Sequence, residues 1–496
     1  CGLCLKLSVV GLWLWCSTLL PSSEGTVFED SLKALIKRSE EYKRELLEFA
    51  ALPTVSSLAE HATDVEAGAD WLVDRLKRAG MQNARKLNTT RQPIVYADFL
   101  HAGNSRPTVL LYAHYDVQPA DPIELWETPP FKPVLDEASQ VFRGRGVSDD
   151  KQGVLAVIHA LEVVLEAGGS KLPVNVKVLF EGQEELLSPD LQAFLEANAQ
   201  LFTCDYAFSA DGGQIAEDVP GIQIGMRGQV AAALGVRTAA TDMHSGTYGG
   251  SVQNAKHALA ELLASFHTRD GRVAVEGFYE GVADPTELDA SDIAAFPLDE
   301  EAERAELSTY EPVGEPGFST LERRWLRPTL EVVGMWGGFT GEGLKTVLPA
   351  EAHAKLSCRL VPGQTPSDIL RKLGRHVERF RPKGCSVDLQ PLGGESMAYS
   401  LPRDSHAVRM AATALQRATG RSPLLYKAGS TIPAMELLQR FLGVHPVPFG
   451  FTLHSFDRLH SPNERFKVSM FELAHRAYVE LLFTVAEQHT QHREEL

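Results

Sequence analysis

Cysteine is sparse in this sequence and placed where it can do little structural work. Of six residues in 496, Cys1, Cys4 and Cys16 crowd the first segment, while Cys204, Cys358 and Cys385 stand far apart. No CxxC pair or Cys/His finger spacing occurs. Neither a disulfide framework nor a thiolate zinc site is supported, and any metal site has to be built from His and carboxylates. Long Lys/Arg runs are missing as well. With a formal net charge of −17, the chain lacks the basic patch that a nucleic acid requires, and no such partner is expected. The Gly-rich segment Arg143-Gly144-Arg145-Gly146 carries neither the Gly-Lys-Ser/Thr nor the GxGxxG pattern of a phosphate cradle. Beyond the first twenty or so residues no stretch is apolar and long enough to span a bilayer.

What is present is ordinary for a soluble globular protein: 44% hydrophobic and 23% charged residues, with length for roughly two or three domains. The apolar stretch 7–20, behind Lys6, is too short to cross a membrane comfortably and reads as a signal-peptide core. Ser22, Ser23 and Gly25 supply small residues for a cleavage site. Residues 1–26 are therefore expected to be a leader removed from the mature protein. The compartment follows from that cut: exported if it occurs, cytoplasmic if it does not.

From Phe28 onward helical and extended patterns alternate. Leu32, Leu35, Ile36, Leu46 and Leu47 recur at helical spacing, as do Trp71, Leu72, Leu76 and Ala79. Short apolar runs at 108–113, 174–180 and 206–209 predict buried strands, with helices at 154–166 and 189–199 between them. This is the rhythm of an α/β fold with a mostly parallel sheet and helices on both faces. After Arg227-Gly228 the pattern changes to strand 230–236, helix 251–266, strand 354–360, helix 366–380 and strand 386–390. The Asp-, Glu- and Pro-rich stretch 270–327 is expected to be a long surface excursion. Helices resume at 405–419 and 468–487, with a short strand at 443–448. The expected organisation is a catalytic α/β domain in two parts, 27–228 and 391–488. A smaller α+β lid or dimerisation domain, 229–390, interrupts it, and a tail, 489–496, ends the chain.

In open α/β sheets ligands bind beyond the carboxyl ends of the strands. Here three strand ends run into His114-Tyr115-Asp116, Glu181-Gly182-Gln183-Glu184-Glu185 and Ala210-Asp211. The loop 143–151 brings Asp149 and Asp150, and His460 adds a second imidazole far downstream. Mixed His and carboxylate donors suit zinc, manganese or cobalt. A paired site, with ions roughly 3.5–4 Å apart, needs a bridging carboxylate and a bridging water, and a carboxylate off the metals to take that water's proton. Glu184 and Glu185 can divide the roles of base and ligand. Asp116, two residues after His114, can accept the imidazole's other N–H. Taken singly, a His after a strand is usually structural and a Glu-Glu pair usually a solvated helix start. Acidic or His residues at three successive strand ends are a stronger signal than any one of them.

These segments resemble the co-catalytic metallopeptidase family of carboxypeptidase G, aminoacylase, acetylornithine deacetylase and the carnosinase-like dipeptidases. The matching motifs are His114-Tyr115-Asp116-Val117-Gln118-Pro119, Arg145-Gly146-Val147-Ser148-Asp149-Asp150-Lys151, Glu181-Gly182-Gln183-Glu184-Glu185, Asp242-Met243-His244-Ser245-Gly246, Arg359-Leu360-Val361-Pro362 and His460-Ser461-Pro462-Asn463-Glu464. The resemblance runs from about residue 28 to 487. Arg327-Pro328-Thr329 and Trp336-Gly337-Gly338 point to the nonspecific dipeptidase branch. Gln152 departs from the family, where Gly often follows the Lys, and the leader has no counterpart in it.

The resemblance implies two divalent ions per subunit, zinc first and manganese or cobalt as alternatives. Asp149 would bridge them, His114 and Asp211 would complete one site, and Glu185 and His460 the other. Glu184 would be the general base and Asp116 the partner of His114. His244 would bind the scissile carbonyl oxygen and Arg359 the substrate carboxylate, which Gly429 and Ser430 would also contact. The Asp149–Asp150 peptide would be cis. The implied activity is hydrolysis of dipeptides or small peptides with a free C-terminal carboxylate, through a metal-bridging hydroxide. The alternative on the same site is deacylation of N-acyl amino acids. A different class, an inactive relative that binds metal or a partner, would be signalled by loss of Glu184 or of a ligand, and none is lost. The resemblance also implies a homodimer through the inserted domain, with His244 serving the neighbouring subunit.

Overall fold

Runs of β-branched and aromatic residues with no polar face can only be strands covered on both sides. In the structure, a computed structural model that describes residues 22–311 and 313–495, the strand Asn175–Glu181 is buried at every position, and Thr108–His114 at all but its first. Both lie inside a six-stranded sheet whose order is Gln82–Leu87, Ile94–Phe99, Asn175–Glu181, Thr108–His114, Tyr206–Ser209 and Val447–Pro448. The last four strands run parallel and the first two antiparallel to their neighbours. Register aligns His114 with Glu181 and Tyr112 with Ser209. The three acidic or His-bearing strand ends therefore emerge along one edge of the sheet.

The helix Lys151–Ala167 is apolar almost all round and buried along most of its length, packed between Ser22–Ala50 and Val468–Glu495. Beneath it, α-helical neighbours share a buried polar network. His159 contacts Glu45 at 2.7 Å and His475 at 2.8 Å, and Arg75 pairs with both Glu45 and Glu162. Ser22, Ser23 and Gly25, proposed above as a cleavage site, fall in the first turn of Ser22–Ala50. The stretch 7–20 lies outside the described residues. No helix among the described residues is long and apolar enough to cross a membrane.

One hydrophobic core gathers side chains from Leu32 to Met226 and again from Tyr399 to Ala486. A second gathers Val230 to Val377. The chain passes between them at Arg227, which separates the strands Gly221–Met226 and Gly228–Arg237. The second core lies under an antiparallel sheet ordered Thr329–Trp336, Glu351–Leu360, Gly228–Arg237 and Ser386–Pro391, onto which the helices Ala255–Ser265 and Pro366–Phe380 pack. Alternating burial along Gly228–Arg237 and Glu351–Leu360 is that of a sheet with one covered face.

The stretch 270–327 departs from the expected surface excursion. Val273, Val275 and Phe278 enter the second core. Leu321 and Trp325, one helical turn apart on Thr320–Trp325, close a small cluster against Tyr426 with Phe296. Arg327 and Glu315 form a buried two-pronged ion pair at 2.8 and 2.9 Å. Its acidic and Pro-rich composition hides the few apolar residues that anchor the segment. Elsewhere the differences are at element ends: the predicted helix 251–266 begins at Ala255 and the strand 443–448 contracts to Val447–Pro448.

Candidate metal centre

Asp149 is the meeting point of the site. One carboxylate oxygen lies 3.0 Å from His114 Nε2 and the other 3.0 Å from His460 Nε2, so a single side chain spans two imidazoles, the second delivered from 311 residues further along the chain than Asp149 itself. Glu185 Oε2 is 3.3 Å from His460 Nε2, and Asp211 Oδ2 is 3.9 Å from His114 Nε2. Potential ligand atoms fall into two groups, His114 with Glu184 and Asp211, and Asp149 with Glu185 and His460; within each they lie within 4.8 Å of one another. Glu184, expected as base, thus stands within reach of the first group. The Asp149–Asp150 peptide is cis. His460 has a backbone φ of +59° and a side chain 55% exposed, which leaves this corner of the site open to solvent.

Two buried carboxylates hold this arrangement. Glu464 accepts N–H bonds from Gly146, Ser148 and Asp149 at 3.0–3.1 Å and pairs with Arg145 at 2.7 Å. It ties the Asp149 loop to the loop that carries His460. Arg145 also donates to Pro119 O at 3.1 Å, drawing in the chain that follows His114. Asp116 performs the second clamp. Its Oδ1 accepts the Glu184 N–H and its Oδ2 the Glu185 N–H, both at 3.1 Å, and Ser56 donates to Oδ2 at 2.6 Å. For His114 Nδ1 the nearer acceptor is the Asp116 carbonyl at 3.1 Å, with the carboxylate at 3.5 Å. Gln118 donates to Glu185 Oε2 at 2.7 Å. Ser56, Gln118 and the clamping role of Glu464 were not read from the sequence. Glu464 had a visible signal in its motif; Ser56 had none.

The charge balance of the site bears on what it can hold. Burial pushes the Glu185 carboxyl up to about 8, with Asp149 adding and His460 opposing. Burial likewise raises Asp211 to about 6 and holds Glu184 well above the ordinary carboxylate range, both against the pull of His114. Burial works to lower the imidazoles, but Asp149 and the other surrounding carboxylates hold His460 up at about 9 and His114 well above its usual value. Asp149 alone is lowered: burial opposes its charge, and the hydrogen bonds to both imidazoles outweigh it. Four clustered carboxylates with two imidazoles and little other positive charge form a donor set that fits divalent cations, which would reverse these protonation preferences.

The remaining expected residues lie apart from this cluster. His244 is exposed; its Nδ1 accepts the Gly246 N–H at 3.1 Å, which leaves Nε2 to carry the proton and point a donor outward. No contact joins His244 to Asp149, His114 or His460 among the described residues. Arg359 Nη1 donates to Thr431 Oγ1 at 2.7 Å. Arg359 and the Gly429-Ser430 loop are thus brought together, through a residue the sequence reading passed over.

Peptidase family M20/M25/M40 matches this chain over residues 110–484, and the chain belongs to that family. A cysteinylglycine-S-conjugate dipeptidase of Corynebacterium striatum is 31% identical over 407 residues, covering 80% of this chain and 85% of its own length. The Beta-Ala-His dipeptidase of Homo sapiens is 32% identical over 381 residues, 75% of this chain and 73% of its own. Among solved structures, the di-peptidase Dug1p of Saccharomyces cerevisiae superposes with a TM-score of 0.83 at 25% identity, over 94% of this chain and 99% of that one.

Glu464→Gln exchanges an acceptor for a group that turns N–H toward N–H. It is expected to weaken divalent-metal retention about 10- to 100-fold, read as the chelator concentration that strips the protein. Unchanged retention would contradict the clamp.

Proposed function

We propose that this chain is a two-metal dipeptidase acting on peptides with a free C-terminal carboxylate. The observation that carries this reading is Asp149 shared between His114 and His460, with Glu184 and Glu185 pinned side by side next to it. His114, Asp211 and Asp149 would hold one ion, and Asp149, Glu185 and His460 the other, with zinc preferred and manganese or cobalt accepted by the same donors. Such a pair, when bound, polarises the scissile carbonyl and acidifies a water between the ions.

Glu184 is the residue placed to move protons. Its main chain is fixed by Asp116, and bound divalent cations would favour the ionised carboxylate that a base needs. It takes the proton of the attacking water and hands it to the departing amine. His244 Nε2–H is a donor of the kind that stabilises the developing oxyanion. Arg359 has one guanidinium nitrogen engaged by Thr431 and pairs with no carboxylate among the described residues, which suits it to the substrate carboxylate. The relatives' names describe cleavage of cysteinylglycine S-conjugates and of β-Ala-His; what these share is the dipeptide, and that class is assigned here.

A homodimer is part of the proposal. The edge strand Thr329–Trp336 of the second sheet leaves Val332, Val333, Met335 and Trp336 between 43% and 63% exposed. An apolar open edge of this kind calls for a partner, and a twofold contact there is proposed to bring His244 to the neighbour's metal centre.

Glu184→Gln is expected to lower kcat on Ala-X dipeptides by about 10²–10⁴-fold while metal analysis still finds both ions. A lost ion would make Glu184 a ligand. Turnover of N-acetyl amino acids but no dipeptide would make the enzyme a deacylase. Mixing Glu184→Gln with His244→Ala subunits tests the dimer: each hybrid carries one intact site, so activity per hybrid dimer should return toward half of wild type. Hybrids that form without recovering activity would place His244 in its own subunit's site or outside catalysis.

A further inference from the structure

Arg227 stands at the crossing between the two cores, and its contacts are unusually concentrated. Its main-chain N–H donates to Ser430 O at 3.1 Å, and its carbonyl accepts the Thr431 hydroxyl at 2.7 Å. Its guanidinium reaches in two further directions: Nε donates to Gly429 O at 3.2 Å and Nη1 to Arg327 O at 3.3 Å. Nη2 lies 2.8 Å from where a Cβ on Gly429 would stand, with Arg324 O at 2.9 Å, so this loop position has no room for a side chain. The same Thr431 hydroxyl accepts from Arg359 Nη1 at 2.7 Å. Every residue of the 429–431 loop is therefore held by Arg227, and the loop in turn holds Arg359.

The electrostatics point the same way. Neither Arg227 nor Arg359 forms an ion pair with a carboxylate among the described residues, although both are largely withdrawn from solvent. Burial first, and then the neighbouring Arg359, push the Arg227 guanidinium down to about 10; Glu331, beyond ion-pair distance, opposes this. Two neighbouring cations, neither of them in an ion pair, are an arrangement that an anion relieves.

We infer that Arg227 is a positioning residue of the substrate-carboxylate site, fixing the Gly429–Thr431 loop and Arg359 across the joint between the two cores and adding a second positive charge behind them. The inference rests on the dipeptidase reading above. Main-chain atoms of Arg227 hold Ser430 and Thr431, its guanidinium adds the hold on Gly429, and through Thr431 they reach Arg359. Clasped by Arg227, it meets the substrate from a fixed place. The positive charge of Arg227 acts on the carboxylate and not on the scissile bond, so its loss falls on binding more than on turnover.

The test compares Ala-Ala with Ala-Ala amide on metal-loaded wild type, Arg227→Gln and Arg227→Lys. Arg227→Gln is expected to raise KM for Ala-Ala roughly 10- to 100-fold with a much smaller change in kcat, and to shrink the preference over the amide by a similar factor. Arg227→Lys keeps the charge without the two-carbonyl fork and should recover part of that preference. Equal losses on both substrates would reduce Arg227 to a structural role, and an unchanged preference would remove it from the site. Either overturns the inference while dipeptide hydrolysis stands. If Arg227→Gln does not fold, Arg227→Lys decides: no weakening on Ala-Ala, or equal weakening on both substrates, overturns it. Wild type inactive on both substrates would sink the dipeptidase reading and this inference together.

Discussion

A carboxylate fully withdrawn from water persists only where hydrogen bonds and an opposite charge replace its hydration. Glu464 meets that condition through Arg145 and the N–H groups of Gly146, Ser148 and Asp149 in one turn. Removing any of these partners would leave a buried charge short of compensation, so the turn is locked. The lock fixes Asp149, and Asp149 fixes the spacing of the two imidazoles. Because Glu464 lies four residues after His460, the same bonds tie the loop that carries His460 to the Arg145–Asp149 segment of the first half. The candidate metal centre is thus assembled by hydrogen bonds and ion pairs between elements far apart in the sequence.

The second clamp works on the opposite side. Asp116 follows His114 at the end of a buried parallel strand and turns its two oxygens on consecutive N–H groups of Glu184 and Glu185. Neighbouring parallel strands bring these segments within reach, and the register between His114 and Glu181 sets their offset. One carboxylate therefore determines where both glutamates begin, and their side chains diverge from a common point into the two ligand groups. Arg227 extends the same principle across the joint with the second sheet, where main-chain carbonyls take the place of carboxylates.

Much of this was legible in the residues. Apolar runs ending in His114, Glu181 and Asp211 marked the parallel strands and the edge on which ligands gather, because burial on both faces leaves a continuous signal. The expected ligands and the expected base, Glu184, came from motif and resemblance, and the structure brings His114, Asp149, Glu184, Glu185, Asp211 and His460 together. Less visible were contacts made by main-chain atoms. Nothing in the type of Ser56, Gln118 or Thr431 announces its partner, and Arg227 reads as an ordinary charge between two strands. The stretch 270–327 misled through composition. Its acidic residues dominate the average, while Leu321 and Trp325, four apart behind the Ser319/Glu322 capping box, carry the anchoring.

One carboxylate, Asp149, is proposed to join two divalent ions held by the two ligand groups. Anomalous diffraction from crystals loaded with zinc or manganese locates the ions directly. Two peaks about 3.5–4 Å apart, one beside His114 and Asp211, the other beside His460 and Glu185, with Asp149 between them, are the predicted result. A single peak, or two peaks that do not share Asp149, would contradict it.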